Sequence, residues 1–220
     1  MANMIKDYKL IIFDWDGTLM NSIDRIVSSM QNAAILSQLT KPSVEHVKEI
    51  IGLSLPAAVT TLFPDNSAEQ TMALVAQYKH QYVEVNNTPA PLFNDAIALL
   101  TRLQQEQKLL AVATGKGRVG LERVFQATQT GHFFHASRCA DEAKSKPHPD
   151  MLLSLLDELN VPKSQAIMIG DTSHDLKMAL TAGIDSIGVT FGVHDREVLS
   201  EYNPRAIVDS LTELQPLLLS

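Results

Sequence analysis

The chain has 220 residues, 45% hydrophobic and 20% charged, a composition typical of a folded globular protein rather than of a disordered or collagen-like one. Its 18 Lys and Arg residues against 25 Asp and Glu residues give a formal net charge of −7, which disfavours binding to nucleic acids and anionic membranes. Apolar runs are too short for a membrane span. Cys139 is the single cysteine, which excludes an intrachain disulfide and predicts a cytoplasmic protein.

Short apolar runs alternate along the chain with longer segments of helical spacing, a pattern typical of parallel strands joined by helices. Strands covered by helices on both faces are apolar without alternation. The predicted strands are Leu10–Phe13, Leu109–Ala113, 166–169, 184–189 and, as a late edge strand, Ala206–Val208. The helical segments among them are 93–105, 149–159, Ser173–Ala182 and 210–218. The sequence therefore predicts an α/β fold with a doubly wound, Rossmann-like parallel sheet.

One stretch interrupts this alternation soon after the first strand. Residues 23–85 contain no convincing strand and only segments of helical spacing. These segments are Ile23–Leu36, 43–51, Leu55–Leu62 and 68–85. Residues 86–91, Asn-Asn-Thr-Pro-Ala-Pro, are typical of a linker back to the sheet. The predicted organisation is an α/β core of residues 1–20 and 89–220 with a helical insert of residues 21–88.

Acidic residues follow two of the predicted strands. Asp14 and Asp16 follow the first strand and point to the same side of the chain, while Gly17 permits a sharp turn. Asp171 follows the strand 166–169, and Asp175 lies a turn further on. The carboxyl ends of parallel strands meet at one edge of a sheet, so we expect these four residues together. Such oxygen ligands suit Mg²⁺, without which their repulsion is costly.

Two further segments carry groups that bind phosphate oxygens. The strand Leu109–Ala113 runs into Thr114, Gly115 and Lys116, where a hydroxyl and backbone N–H groups lie at a strand-to-helix turn. Lys146 adds a positive charge on a loop stiffened by prolines. Taken singly, these residues are ordinary turn and surface residues, and only their combination with the acids indicates a phosphate site.

Four segments in order resemble the motifs of the haloacid dehalogenase superfamily. They are Phe13-Asp14-Trp15-Asp16-Gly17-Thr18-Leu19, Thr114, Lys146-Pro147, and Gly170-Asp171-Thr172 with Asp175. The second acid of the first segment resembles the phosphatase branch, and the Gly-Asp-Thr segment with Lys146-Pro147-His148-Pro149-Asp150 resembles the phosphoglycolate phosphatase-like group. The insert resembles the small α-helical cap of this family. The resemblance implies a Mg²⁺-dependent phosphatase.

The resemblance also implies a role for each site residue. Asp14 is the expected nucleophile, which forms an aspartyl-phosphate, and Asp16 is expected to protonate the leaving group and then to deprotonate water. The expected Mg²⁺ ligands are the carboxylates of Asp14 and Asp171 and the backbone carbonyl of Asp16. Asp175 is expected to order a metal-bound water or Lys146. The groups expected to hold the phosphoryl oxygens are Thr114, the N–H of Gly115, and Lys146.

The insert is the expected source of substrate choice. Leu53, Ser54 and Leu55 follow Gly52 directly, at the place where the family's cap reaches its substrate, although plain packing is an equally good reading of the leucines. The insert carries four Lys and Arg residues against six Asp and Glu residues, so nothing in its charge indicates a polyanionic partner. We expect a small phosphorylated metabolite, a phosphoglycolate-like compound or a sugar phosphate. The sequence leaves the oligomeric state open.

Several alternatives remain at this stage. Within the same family, a sugar-phosphate mutase or an inorganic pyrophosphatase shares these motifs. Residues 115–120 match G-x-G-x-x-G, a dinucleotide-binding pattern, but no acid follows at the expected distance. A signalling receiver domain also combines a phosphorylated Asp with Mg²⁺, a Thr and a Lys. In receivers, however, no acid lies two residues beyond that Asp, whereas Asp16 is present here.

Overall fold

The structure is a computed structural model that describes residues 7–219. Within this range six strands form one parallel sheet: β1, Leu10–Phe13; β2, Leu109–Ala113; β3, Ala136–Arg138; β4, Ala166–Gly170; β5, Asp185–Val189; and β6, Ala206–Val208. Their order in the sheet is β3-β2-β1-β4-β5-β6. The first strand is therefore central, with Phe13 paired to Val112 on one side and to Ile169 on the other.

The described residues also contain ten α-helices. They are α1, Ile23–Leu36; α2, Val44–Glu49; α3, Leu55–Leu62; α4, Ala68–His80; α5, Ala96–Gln105; α6, Arg118–Thr128; α7, Asp150–Glu158; α8, Ser173–Ala182; α9, Arg196–Ser200; and α10, Gln215–Leu218. No helix in residues 7–219 has the length and apolar character needed to cross a bilayer.

Helices cover both faces of the sheet. Side chains alternate along β1, so Ile11 and Phe13 pack in the apolar cluster with α5 and α6, whereas Leu10 and Ile12 pack in the cluster with α7 and α8. Burial on both faces explains why β1 is apolar throughout. The predicted doubly wound α/β fold is confirmed.

The segment between β1 and α5 is helical and has its own apolar core. Helices α1–α4 and a π-helical turn, Gln81–Val85, bury Met30, Val47, Val59 and Leu74 away from the sheet. The chain leaves and rejoins the sheet layer at one place, because the N–H of Asn21 donates to the carbonyl of Pro91 at 2.8 Å and Met20 bridges Leu92.

The structure differs from the sequence prediction in a few elements. The strand β3 and the helices α6 and α9 were not predicted, and β3 is short with half-buried residues that give no apolar run. The predicted helix 68–85 ends as an α-helix at His80 and continues as the π-helical turn. The predicted helix 210–218 is a 3₁₀ turn, Leu211–Leu214, followed by α10.

Candidate active site

Three acidic side chains meet at the carboxyl end of the central strands. Asp14 follows β1 directly, and its N–H donates to the carbonyl of Ile169 in β4 at 2.9 Å. Asp171 follows β4, and Asp175 lies in the first turn of α8. Carboxylate oxygens of Asp14, Asp171 and Asp175 lie within 4.8 Å of one another, and all three residues are buried. Three of the four acids expected together are therefore in one cluster, and Asp16 is not part of it.

Lys146 supplies the positive charge inside this acidic cluster. Its Nζ lies 2.7 Å from Asp14 Oδ1 and 2.6 Å from Asp175 Oδ1, and its side chain is fully buried. Burial alone lowers the pKa of a lysine, but here the two adjacent carboxylates more than offset it and raise the pKa of Lys146 above its ordinary value. Lys146 therefore stays charged and fixes Oδ1 of Asp14.

Asp171 is held in place by its neighbours. The hydroxyl of Thr18 donates to its Oδ1 at 2.8 Å, and the N–H of Val193 donates to its Oδ2 at 2.9 Å. Backbone packs closely around it, since a Cβ added to Gly17 or Gly192 would lie 2.1 or 2.2 Å from Asp171 Oδ2. Burial, with the charge of Asp175, raises the pKa of Asp171 to about 7.

Asp175 is already engaged through both of its oxygens. Oδ1 contacts Lys146, while Oδ2 accepts hydrogen bonds from the hydroxyl of Thr172 at 2.7 Å and from its N–H at 3.1 Å. Thr172 in turn caps α8, because its hydroxyl accepts from the N–H of Asp175. Asp175 thus positions Lys146. Asp171 is also hydrogen-bonded through both oxygens, so within the described residues Asp14 alone of the three acids keeps an oxygen with no partner.

Asp16 lies beside a different lysine. Its Oδ1 accepts a short hydrogen bond from the hydroxyl of Ser22 and pairs with Lys116 Nζ at 2.9 Å. The same Nζ lies 5.1 Å from the centre of the Tyr82 ring, which belongs to the insert. Two residues apart in sequence, Asp14 and Asp16 therefore contact two separate lysines.

The loop of residues 52–54 joins the insert to this site. Gly52 has a φ of +98°, and a Cβ added to Gly115 would lie 2.6 Å from the carbonyl oxygen of Leu53. The N–H of Ser54 donates to the hydroxyl of Ser145 at 2.8 Å, one residue before Lys146. The insert is thus seated on the loops that follow β2 and precede α7. Gly115 permits this approach because it has no side chain.

A cavity of about 620 Å³ lies between the sheet edge and the insert. Its walls include the predicted site residues Asp14, Asp16, Leu53, Ser54, Leu55 and Gly115. The other predicted residues are buried and are not among the residues that line the cavity; they are Thr114, Lys146, Asp171 and Asp175. Thr114 directly follows β2, and its Oγ1 accepts a hydrogen bond from the N–H of Lys116 at 3.2 Å.

A model of the haloacid dehalogenase-like hydrolase family matches residues 11–189 of the chain. The chain belongs to this family. The protein named "Probable phosphatase IndB" from Dickeya dadantii (strain 3937) is 34% identical over 211 residues, which cover 93% of the chain and 91% of that protein. Phosphoglycolate phosphatase of Aliivibrio fischeri (strain ATCC 700601 / ES114) is 27% identical, and the match covers 98% of both proteins.

A solved structure shares the whole fold. The haloacid dehalogenase-like family hydrolase SP0104 from Streptococcus pneumoniae superposes with a TM-score of 0.82 at 25% identity, over 95% of this chain and 97% of that one. With a hydrolase family established and relatives named as phosphatases, the chain is an enzyme of the phosphatase class. The resemblance noted from the sequence motifs is confirmed.

The residues of this haloacid dehalogenase-like site fit a hard divalent cation. Asp14 Oδ2 is buried and accepts no hydrogen bond from any residue in the described range. Burial raises the pKa of Asp14 well above its ordinary range; Lys146 opposes this effect, and Asp175 and Asp171 add to it. The neighbouring buried carboxylates of Asp14 and Asp171 are oxygen donors of the kind that Mg²⁺ prefers.

Sequence reasoning missed Lys116 as a partner of Asp16. The sequence places Lys116 at the strand-to-helix turn after β2 and within the G-x-G-x-x-G match, and neither pattern predicts a carboxylate partner for it. The structure disfavours a dinucleotide there, because the N–H of Arg118 at the start of α6 donates to the carboxylate of Asp141 at 3.0 Å, so an acid lies where a pyrophosphate would bind. The G-x-G-x-x-G match, which no acid follows at the expected distance, was the signal in the sequence that this loop has another role.

Proposed function

We propose that the chain hydrolyses a small organic phosphomonoester in two steps, through an aspartyl-phosphate on Asp14. The observation that carries the proposal is the state of the Asp14 carboxylate. One oxygen, Oδ1, is fixed by Lys146 at 2.7 Å, and the other is buried without a partner among the described residues. Oδ2 is therefore the oxygen free to attack phosphorus.

In the first step, Asp14 Oδ2 forms a bond to phosphorus while the bond from phosphorus to the ester oxygen breaks. Asp16, in the cavity wall beside Asp14, gives its proton to the departing oxygen, which leaves as an alcohol. Lys146 offsets negative charge near the phosphoryl group, and the hydroxyl of Thr114 and the N–H of Gly115 donate to its oxygens.

In the second step, Asp16 takes a proton from water as the water attacks the phosphorus of the aspartyl-phosphate. The bond between phosphorus and Asp14 Oδ2 breaks, and inorganic phosphate and the free carboxylate result. The contact of Lys116 with Asp16 Oδ1 orients this carboxyl group for both transfers.

We propose that Asp14, Asp171 and the backbone carbonyl of Asp16 hold Mg²⁺. When bound, the cation neutralises negative charge on the transferring phosphoryl group. We also propose that residues 21–88 form a cap domain on a catalytic core of residues 1–20 and 89–220. The seating of the 52–54 loop on the core supports this division, since it encloses the cavity beside Asp14.

The proposal is tested by trapping the phosphoenzyme in matched Asp→Asn variants. Asp16→Asn keeps the nucleophile, so an activated aryl phosphate, whose leaving group departs without protonation, should leave phosphate covalently bound to this variant. Asp14→Asn should carry no phosphate and release none. Intact-mass spectrometry and a phosphate-release assay measure both, and circular dichroism checks folding. Turnover by folded Asp14→Asn close to that of the wild type would disprove the proposal.

A further inference from the structure

The cavity beside Asp14 is far larger than a transferred phosphoryl group requires. At about 620 Å³ it falls within the range of roughly 300–1,000 Å³ that holds drug-sized organic ligands. The cavity extends from the sheet edge between the helices of the insert. The volume beyond Asp16 is therefore available to the leaving group.

The part of the cavity inside the insert is mainly apolar. Its wall is built from helices α1, α3 and α4 and the turn after α2, with Ile26, Met30, Ile50, Ala58 and Val75 among the buried side chains. Such a surface gains free energy by burying hydrocarbon. An anion placed against these five apolar side chains would lose hydration without gaining a hydrogen-bond partner from them.

The charged residues of the wall do not favour a second anion. Acidic and basic residues are equal in number: Asp14, Asp16 and Asp141 against Lys79, Lys116 and Arg123. Lys116 is paired with Asp16, whereas Arg123, 6.0 Å from the centre of the Tyr82 ring, and Lys79 form no ion pair with a described residue. A leaving group such as glycolate or inorganic phosphate would find no excess of positive charge in this wall.

The mouth of the cavity is apolar as well. Met72 on α4 and Val119 on α6 line the cavity, yet 60% and 77% of their surfaces are exposed. Exposed apolar side chains at the rim of a pocket offer apolar surface that a ligand can bury. Rim and interior therefore favour the same chemistry.

We propose that the physiological substrate is a phosphomonoester whose alcohol carries an extended, uncharged apolar portion, which the insert buries. This inference rests on the proposed phosphatase function and assigns its substrate class. The phosphate end lies at Asp14, and the apolar end lies among the side chains of α1, α3 and α4.

A series of primary alkyl phosphates from methyl to octyl tests the proposal. Each buried methylene should raise kcat/KM by about three- to four-fold until the cavity is full. Phosphoglycolate, pyrophosphate and a hexose phosphate serve as charged or polar comparisons and should fall below the longer alkyl phosphates. Hydrolysis of all of them without dependence on chain length would overturn the inference while leaving the proposed function intact.

A pair of surface variants distinguishes an effect on the cavity from the general effect of adding a surface carboxylate. Met72→Asp places a carboxylate on the cavity rim, and Leu180→Asp makes the same kind of change on α8, where Leu180 has a matching exposure of 59%. Met72→Asp should lower the ratio of octyl to methyl phosphate kcat/KM by ten-fold or more. Leu180→Asp should leave it unchanged. Equal ratios in both variants would count against the cavity as the alkyl site.

Binding measured without turnover keeps the two proposals distinguishable. Alkyl phosphonates of the same chain lengths, titrated by calorimetry into the wild-type protein with Mg²⁺, should bind more tightly as the chain grows. If affinity grows with length but no phosphomonoester is hydrolysed, the phosphatase mechanism fails and the apolar site stands. If affinity does not grow with length, the apolar site is refuted whatever the turnover.

Discussion

Asp171→Asn should stabilise the metal-free protein at neutral pH. Burial and Asp175 raise the pKa of Asp171 from an ordinary value near 3.8 to about 7, so the folded state holds this proton more tightly than the unfolded state does. Stability is therefore lost as the pH rises from about 4 to 7. At 1.36 kcal/mol per pH unit, the ionised group costs at most ~4 kcal/mol above pH 7.

The asparagine removes this charge but keeps the shape of the side chain. It loses the hydrogen bond from either Thr18 or Val193, at about 1 kcal/mol. The expected gain in the free energy of unfolding is thus up to ~3 kcal/mol at pH 8, and by linkage it shrinks by roughly 2–3 kcal/mol on lowering the pH to 5.

Urea unfolding in EDTA at pH 5, 6, 7 and 8 measures this difference. Asp175→Asn is the matched control, because it leaves Lys146 with one buried partner fewer and should destabilise at every pH. Mg²⁺ at about 100 times its Kd should stabilise the wild type by ~2.7 kcal/mol and Asp171→Asn by much less. The reasoning is refuted if the gain does not depend on pH, or if Asp171→Asn is the less stable protein at pH 8.

Three further predictions concern a close backbone approach, a buried ion pair and a buried thiol. Gly115→Ala places a Cβ 2.6 Å from the carbonyl oxygen of Leu53 and should displace the insert. We therefore expect kcat/KM in a phosphate-release assay to fall at least ten-fold, and wild-type activity would contradict this. Lys146→Met leaves Asp14 buried without its cation and should lower the free energy of urea unfolding by about 3–5 kcal/mol, whereas a loss below 1 kcal/mol would contradict it. Burial raises the pKa of Cys139 to about 12, so a disulfide reagent at pH 8 should label it only after unfolding, and rapid labelling of the native protein would contradict this.

Features with a local physical cause could be predicted from the sequence. The strand β1 is apolar without alternation because both of its faces are covered, and that pattern is visible in four residues. The meeting of Asp14 with Asp171 follows from parallel strands alone, since residues after neighbouring strands reach the same edge. The proximity of Asp14 and Asp171 could therefore be predicted without knowledge of side-chain packing.

Features that depend on distant packing could not be predicted. The contact of Lys116 with the Tyr82 ring joins residues 34 positions apart in the chain and exists only because the insert is seated on the core. The start of α6 is stabilised by Asp141, which follows in sequence by more than twenty residues. The apolar cavity likewise arises from how helices of the insert pack, because its wall combines residues of α1, α3 and α4 that are distant in the sequence.

The neighbouring entry and exit of the insert have a consequence for protein engineering. Asn21 and Pro91 are joined by a backbone hydrogen bond of 2.8 Å, so a segment of almost seventy residues begins and ends at one point beside β1. Exchanging that segment for another helical unit leaves the strand order and the ends of the sheet where they are. Chimaeras joined at these two positions would place a new pocket for the leaving group over the unaltered sheet edge that carries Asp14. Substrate range could then diversify by recombination rather than by gradual substitution.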